Sequence, residues 1–343
     1  MRIASDESTP SRRRLRRAGT FSLLTCEFAV HGRRSGRDGA LGRRQLSRHI
    51  EHAAPGAARP NDGVASEALA APDIGRDVRK QFAQVRASLL ALVADLSRHD
   101  WDAVTAADPW RVRDVVAHQR GDDIGRLSRS RDEHAGPGPF PGEPLAAFLD
   151  RHNEQWVQAT ARASTGVLRE LLTTTSQKIH EYWQGADLAA LGEPVSWAGP
   201  GPAPVWLDCA RDFTEDWVHQ QQIREAINRT VASDPSLLHA VIDTFMHAMP
   251  MALGANAADA SDGDTVTVRL DDVAGSWSWR RVQQHWRSAS ALTAGTTTIA
   301  GTADTWWRLC VRMLEPRQAR TRLTFSGDAD LADAATSILA IIR

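Results

Sequence analysis

Val78, Phe82, Val85, Leu89, Leu92, Val93 and Leu96 recur at spacings of three and four, the stripe of an amphipathic helix with one face turned to a core. A second helix is predicted from DPWRVRDVVAH, with Asp108 as its N-cap, Pro109 in its first turn and Val112, Val115 and Val116 facing inward. GPGPFPGEP then reads as a loop, and helical patterns follow around 143–161 and 166–184. After a second loop, GPGPAP at 199–204, the next helix runs from about Val205 to Asn228, and PSLLHAVIDTFMHAM at 235–249 adds another. These segments predict an up-and-down bundle of about four long helices over residues 74–255. Beyond Asp262 the texture changes: DTVTVRLDD and GSWSWRRVQ alternate apolar with polar as strands do, and TTTIAG and RLTFSG supply two more β-like runs. TADTWWRLCVRMLE and ADLADAATSILAIIR have a helical period, so residues 262–343 read as a small α+β domain with strands and helices segregated.

Residues 1–73 fit neither part. AAPGAARPNDGVASEALAAPD at 53–73 is small, Pro-rich and unpatterned, a linker by composition. Residues 1–60 carry 13 Arg against 5 acidic residues, so the net charge of −1 divides into a basic leader and a body of net −9. An acidic body disfavours nucleic acid as a partner. The apolar stretch AGTFSLLTCEFAV is broken by Glu27 and followed by HGRRSGR, which argues against an export signal and for a disordered Arg-rich leader. Deleting residues 1–72 is therefore expected to leave metal content and melting temperature unchanged, and a large fall in Tm would show that the leader packs on the body.

Composition narrows the class further. At 343 residues and 42% apolar, the chain can bury a sizeable core, and no run approaches the ~18 apolar residues of a membrane span. Cys26, Cys209 and Cys310 are scattered and form no C-x-x-C pair, which supports neither a disulfide framework nor a thiolate zinc knuckle and suits a reducing cytoplasm. Of the 41 basic residues only Lys80 and Lys178 are lysines, a bias of the coding sequence rather than a sign of arginine-specific function.

Within EDWVHQQQIREA, Glu215 and His219 stand four apart, on one face of a helix, where both could close on a single cation. The spacing alone is weak, because 13 Glu and 12 His in 343 residues give roughly half such a pair by chance. A third ligand is needed, and His118 on the second helix is the candidate, since bundles hold metal with side chains projecting inward from facing helices. Asp122, one turn after His118, reads as a solvated residue, a fourth ligand or a partner of a ligand. Cys209 falls off the metal face, Trp306 and Trp307 read as core, and Arg280, Arg281 and Arg312 have the chemistry to bind carboxylates but no assignable place.

WRVRDVVAH at 110–118 and EDWVHQQQIREA at 215–226 resemble the two ligand segments of the mycothiol-dependent maleylpyruvate isomerase family, part of the DinB-like metalloenzyme superfamily. Trp110, Asp114, His118, Glu215, Trp217 and His219 occupy the positions of that pattern, and the resemblance extends over about residues 75–343, with TFSGDADLADAA as its closing segment. It implies a DinB-like four-helix bundle followed by a sterol-carrier-like α+β domain. It implies His118, Glu215 and His219 as metal ligands and catalytic centre, zinc as the divalent metal, and mycothiol as a cofactor. One position departs: members often carry Asp three residues after the last ligand, where this chain has Gln222, which can accept a hydrogen bond from a ligand histidine but supplies no charge.

Two imidazoles and one carboxylate leave a divalent ion with open positions, as in catalytic zinc sites. Such a centre suits a small-molecule thiol as nucleophile. Addition to an activated double bond, rotation about the resulting single bond and loss of the thiol would turn a cis isomer into a trans one. Thiol transfer to an electrophile, or hydrolysis by an activated water, would use the same three residues. Ferrous oxygenases also use two His and a carboxylate, though usually on β scaffolds. The expectation is a cytoplasmic, metal-dependent, thiol-using isomerase or transferase acting on a small electrophile, with neither nucleic acid nor membrane as partner. The rival is a non-catalytic small-molecule-binding or regulatory protein whose metal is structural or absent.

Overall fold

A computed structural model of the chain describes residues 77–231, 234–289 and 297–340, so the leader and linker expected over 1–73 lie outside the described residues. The described residues belong to one compact unit. Helix α1 (Arg79–Ala94) buries the whole predicted stripe from Val78 to Leu96. α2 (Val112–Arg126) begins later than expected, because Asp108 and Pro109 precede it and the carboxylate of Asp114 instead accepts the Arg111 N–H at 3.0 Å. α3 (Leu145–Thr160), α4 (Thr165–Gly185) and α5 (Val205–Ala226) follow. Ser164 caps α4 by accepting the Val167 N–H at 3.2 Å. α1 packs on α4 and α5, and α2 packs on α3, α4 and α5.

The apolar interior of this helical region is interrupted. One cluster gathers Leu89, Leu92, Val93, Val112, Val115, Val116, Leu168, Leu172 and Ile223; the other takes Phe82 and Val85, Leu127, Ile179 and Trp183, and Phe213 and Trp217 from the same helices. Between them in sequence on all four helices lie buried polar residues: Arg86 on α1, His118, Arg120 and Asp123 on α2, Thr175 and Ser176 on α4, and His219 and Gln220 on α5, with Asp216 one turn earlier. A polar layer therefore crosses the core. Arg120–Asp123 is a local pair within α2, but Arg86 reaches Asp123 across 37 positions and Asp216 on α5, contacts that no local period could announce.

α6 (Pro235–Met246), capped by Asp234, and α7 (Met249–Asn256) replace the single helix predicted over 235–249. The C-terminal region then forms a five-stranded mixed sheet of β1 (Thr265–Leu270), β2 (Gly275–Val282), β3 (His285–Ala289), β4 (Thr297–Gly301) and β5 (Thr324–Ser326). Strand order is β3-β2-β1-β4-β5, with β1 and β4 parallel and the other pairs antiparallel. Val266, Val268, Leu270 and Ile299 line one face, fully buried. That face and α8 (Ala303–Cys310), α9 (Pro316–Ala319) and α10 (Ala329–Thr336) share one apolar cluster with α5, α6 and α7, so the helical and sheet-bearing regions are joined through a common core.

β3 is the strand that the alternation did not predict. Its turn is built from Gln283 and Gln284, both at positive φ (49° and 63°), a conformation usually signalled by Asn or Gly. The Asp262 carboxylate holds it by accepting both backbone N–H groups, at 3.0 and 2.9 Å.

Candidate metal centre

α2 and α5 face each other at the polar layer, and this brings His118, Glu215 and His219 together with one ligand atom from each within 4.8 Å of the others. His118 Nε2 lies 3.9 Å and His219 Nε2 3.3 Å from Glu215 Oε1, and the two rings meet edge to face with centroids 4.9 Å apart. Both imidazoles are buried, while the Glu215 side chain keeps 28% of its surface exposed, so the cluster opens on the carboxylate side. His219 Nε2 is buried without a hydrogen-bond partner. Its contact with Glu215 Oε1 at 3.3 Å lacks hydrogen-bond geometry, and a cation among two imidazoles and a carboxylate would satisfy both groups at once. The donor set therefore suits a divalent ion.

The electrostatics agree with the donor chemistry. Burial pushes the Glu215 carboxyl up, but His118 and His219 against it more than reverse this and hold it well below the usual carboxylate range. Burial lowers His219, yet contact with Glu215 and the hydrogen bond to Gln222 leave it raised overall. Glu215 is thus the fixed negative charge of the cluster.

Neighbouring side chains orient the ligands. His219 Nδ1 donates to Gln222 Oε1 at 2.7 Å, which turns Nε2 toward Glu215. Trp110 packs its ring 4.7 Å from His118 and donates from Nε1 to Glu154 Oε2 at 3.0 Å. Trp156 of α3 donates to the Ala117 carbonyl at 2.7 Å and lies over Gly121, where a Cβ would stand 2.6 Å from its ring. α3 is thereby docked along the His118 helix through contacts that sequence reasoning missed; the glycine between two Trp-bearing helices was the available signal.

The other predicted residues fall as follows. Asp122 is 45% exposed, but its Oδ2 lies 3.2 Å from His118 Nε2, so it is a rim residue of the centre and not simply solvated. Asp114 caps α2. Trp217 packs edge to face on Trp307, with centroids 5.1 Å apart, and both are core. Cys209 and Cys310 are buried, and burial pushes both thiols up, Cys310 to about 12, which makes them poor nucleophiles. Arg281 donates to the Ala257 carbonyl and Arg312 to the carbonyls of Leu309, Ser337 and Ile338, so both tie down backbone. Arg280 stands opposite Arg287 on the sheet, away from the apolar face.

Beside the triad, Asp123 accepts from Arg86, Arg120 and Thr175, while Asp216 meets Arg86 and accepts from Gln119. Burial raises Asp216 to about 7 against the opposing pull of Arg86, with the Asp123 charge adding to the rise. Asp123 is held below its ordinary value, because Arg120 and Arg86 outweigh its burial.

Residues 82–224, which contain the whole triad, match the family model described as the mycothiol maleylpyruvate isomerase N-terminal domain. The chain is similar to the crystal structure of the mycothiol-dependent maleylpyruvate isomerase and to that of a point mutant of the same protein. In each case the TM-score is 0.45 at 10% identity, over 74% of this chain and 94% of the other. No curated protein matches the chain. Among the described residues, no helix is long and apolar enough to cross a membrane.

Proposed function

We propose that the chain is a divalent-metal-dependent enzyme that uses a low-molecular-weight thiol on a small electrophilic substrate, in isomerisation or thiol transfer. The observation that carries the reading is the convergence of His118, Glu215 and His219, with one ligand atom from each within 4.8 Å of the others. The match of residues 82–224 to the mycothiol maleylpyruvate isomerase N-terminal domain supports mycothiol as the thiol, and two imidazoles with one carboxylate suit zinc as the metal; a DinB-like bundle over 74–255 with a sterol-carrier-like domain over 262–343 is the architecture proposed with it.

A divalent ion bound here would supply Lewis acidity and lower the pKa of a thiol brought to it. The chain's own residues do the rest. His118 and His219 would hold the ion through Nε2, Glu215 would balance its charge, and Gln222 accepts from His219 Nδ1 and so leaves Nε2 for the ion. Buried walls on the imidazole side exclude water, so thiol and substrate must approach past Glu215 and Asp122. The Asp122 carboxylate at this rim is placed to take the proton that a thiol gives up.

Metal analysis of the purified full-length protein, with a thiol titration, tests the reading: about one divalent ion per chain and saturable thiol binding are expected. Asp122→Ala is expected to keep its metal, because His118, Glu215 and His219 all remain. Loss of the ion in Asp122→Ala would make Asp122 a fourth ligand, close the open position and favour a structural metal. Wild type that holds no ion and gains no stability from added Zn²⁺ would end the enzyme reading.

A further inference from the structure

A thioether from the C-terminal region reaches the metal centre through one intermediary. Gln222 places Oε1 on His219 Nδ1 at 2.7 Å and turns its Nε2 toward Met313 Sδ at 3.9 Å. The two ends of a glutamine amide have nearly the same shape but opposite chemistry. With the oxygen on the imidazole, Nδ1 carries the ring proton and Nε2 keeps its lone pair for the ion. With the NH₂ group there, Nδ1 becomes the acceptor, the proton moves to Nε2, and the ligand atom is blocked.

The sulfur discriminates between these orientations, because a thioether accepts weakly and donates nothing. The NH₂ end gains a partner against it, whereas the oxygen end would meet only lone pairs. Neighbouring contacts fix the geometry. α8, which ends just before Met313, is joined to α5 by the Trp217–Trp307 ring contact at 5.1 Å and by the Arg308–Glu225 ion pair at 2.5 Å, and these bracket Gln222 along α5. The sulfur therefore faces an amide whose helix cannot slide.

We propose that Met313 is a positioning residue of the metal centre: by receiving the Gln222 Nε2–H it locks the amide in the orientation that keeps His219 in its Nδ1–H tautomer, ready to bind a cation. The inference rests on the metal-centre reading above for its purpose, but the tautomer can be observed without any metal. A carboxylate at position 222 would need no such lock, since both of its ends accept. The amide is what makes a residue 91 positions away matter.

The test uses ¹⁵N-labelled full-length protein. The His219 tautomer is read from two-bond nitrogen–proton correlations in the metal-free state, at a pH where the ring is neutral, and Zn²⁺ affinity is read by chelator competition. Wild type is expected to show the Nδ1–H tautomer as the major form, held by Gln222 against the pull of Glu215 Oε1 on Nε2 at 3.3 Å. Met313→Leu, close to volume-conserving, is expected to mix the tautomers and weaken Zn²⁺ binding about threefold, below the roughly 10- to 100-fold typical of a direct partner of a ligand. Gln222→Glu should keep the Nδ1–H tautomer, and in that background Met313→Leu should change neither readout. An unchanged tautomer in Met313→Leu, or an equal loss in both backgrounds, would overturn the lock and leave Met313 a packing residue. Wild type that binds no Zn²⁺ would overturn the metal-centre reading, while a tautomer shift in Met313→Leu would still support the lock.

Discussion

Replacing His118, Glu215 or His219 by Ala, one at a time, is expected to remove most of the bound divalent ion and nearly all turnover, and the triple replacement is expected to do little more than any single one. The effects cannot add, because three ligand atoms within 4.8 Å act on one ion and losing one already destroys the open coordination that the chemistry needs. Stability supplies a readout that does not depend on knowing the substrate. An ion that binds only the folded state stabilises it by about 2.7 kcal/mol at a hundredfold excess over Kd. Chelator should therefore lower the melting temperature of wild type by several degrees and leave each ligand variant where it stands. Comparing every protein with itself, with and without chelator, cancels the cost of truncating a buried side chain. Equal responses of wild type and variants to chelator would mean that the three residues do not share an ion.

The parts of this structure that were legible in the sequence are those held by local chemistry. The stripe from Val78 to Leu96 specifies α1 because a helix has one apolar face to bury, and the alternation in DTVTVRLDD specifies β1 because a strand has two faces of different kind. Glu215 and His219 are legible as a pair since one helix turn fixes their spacing. Bringing His118 to them depends on how α2 and α5 pack, and that contact spans almost a hundred residues. The N-cap of α2 was misplaced at Asp108 because Asp before Pro is a strong local signal, whereas the carboxylate of Asp114 reaches back to do the work. Asp122 looked solvated because its exposure follows from its helix face, and only the packed structure shows its oxygen against His118. The Gln222–Met313 contact had no sequence signature: glutamine and methionine are ordinary residues in helices, and their meaning here comes from the His219 ring between them and the ion.

Asp123→Ala is expected to cost about 3–5 kcal/mol of folding stability, the range for removing one partner of a buried ionic network. Its carboxylate takes Arg86 at 2.6 Å, Arg120 at 2.7 Å and Thr175 at 2.6 Å, and the side chains of both arginines are at most 10% exposed. Without it Arg120 loses its ion-pair partner and Arg86 keeps only Asp216, a group that burial already drives toward its neutral form. Arg131–Asp132, at a similar 2.7 Å but with both side chains near half exposed, is the contrast: Asp132→Ala should change stability little, because water replaces the lost partner. The pH dependence has a defined sign. The folded pKa of Asp123 lies below the unfolded value of about 3.9, so its contribution is complete above that value and drains away as pH falls through the folded one. Wild type should therefore lose stability relative to Asp123→Ala on the acid side of the ordinary carboxylate range; nearer neutrality the gap changes for a second reason, because removing the Asp123 charge eases the ionisation of Asp216. Urea unfolding of both proteins across that range measures it. A loss below about 1 kcal/mol at neutral pH, the ordinary worth of an exposed pair, would mean that water fills the polar layer and that the arginines are not held by Asp123 at all.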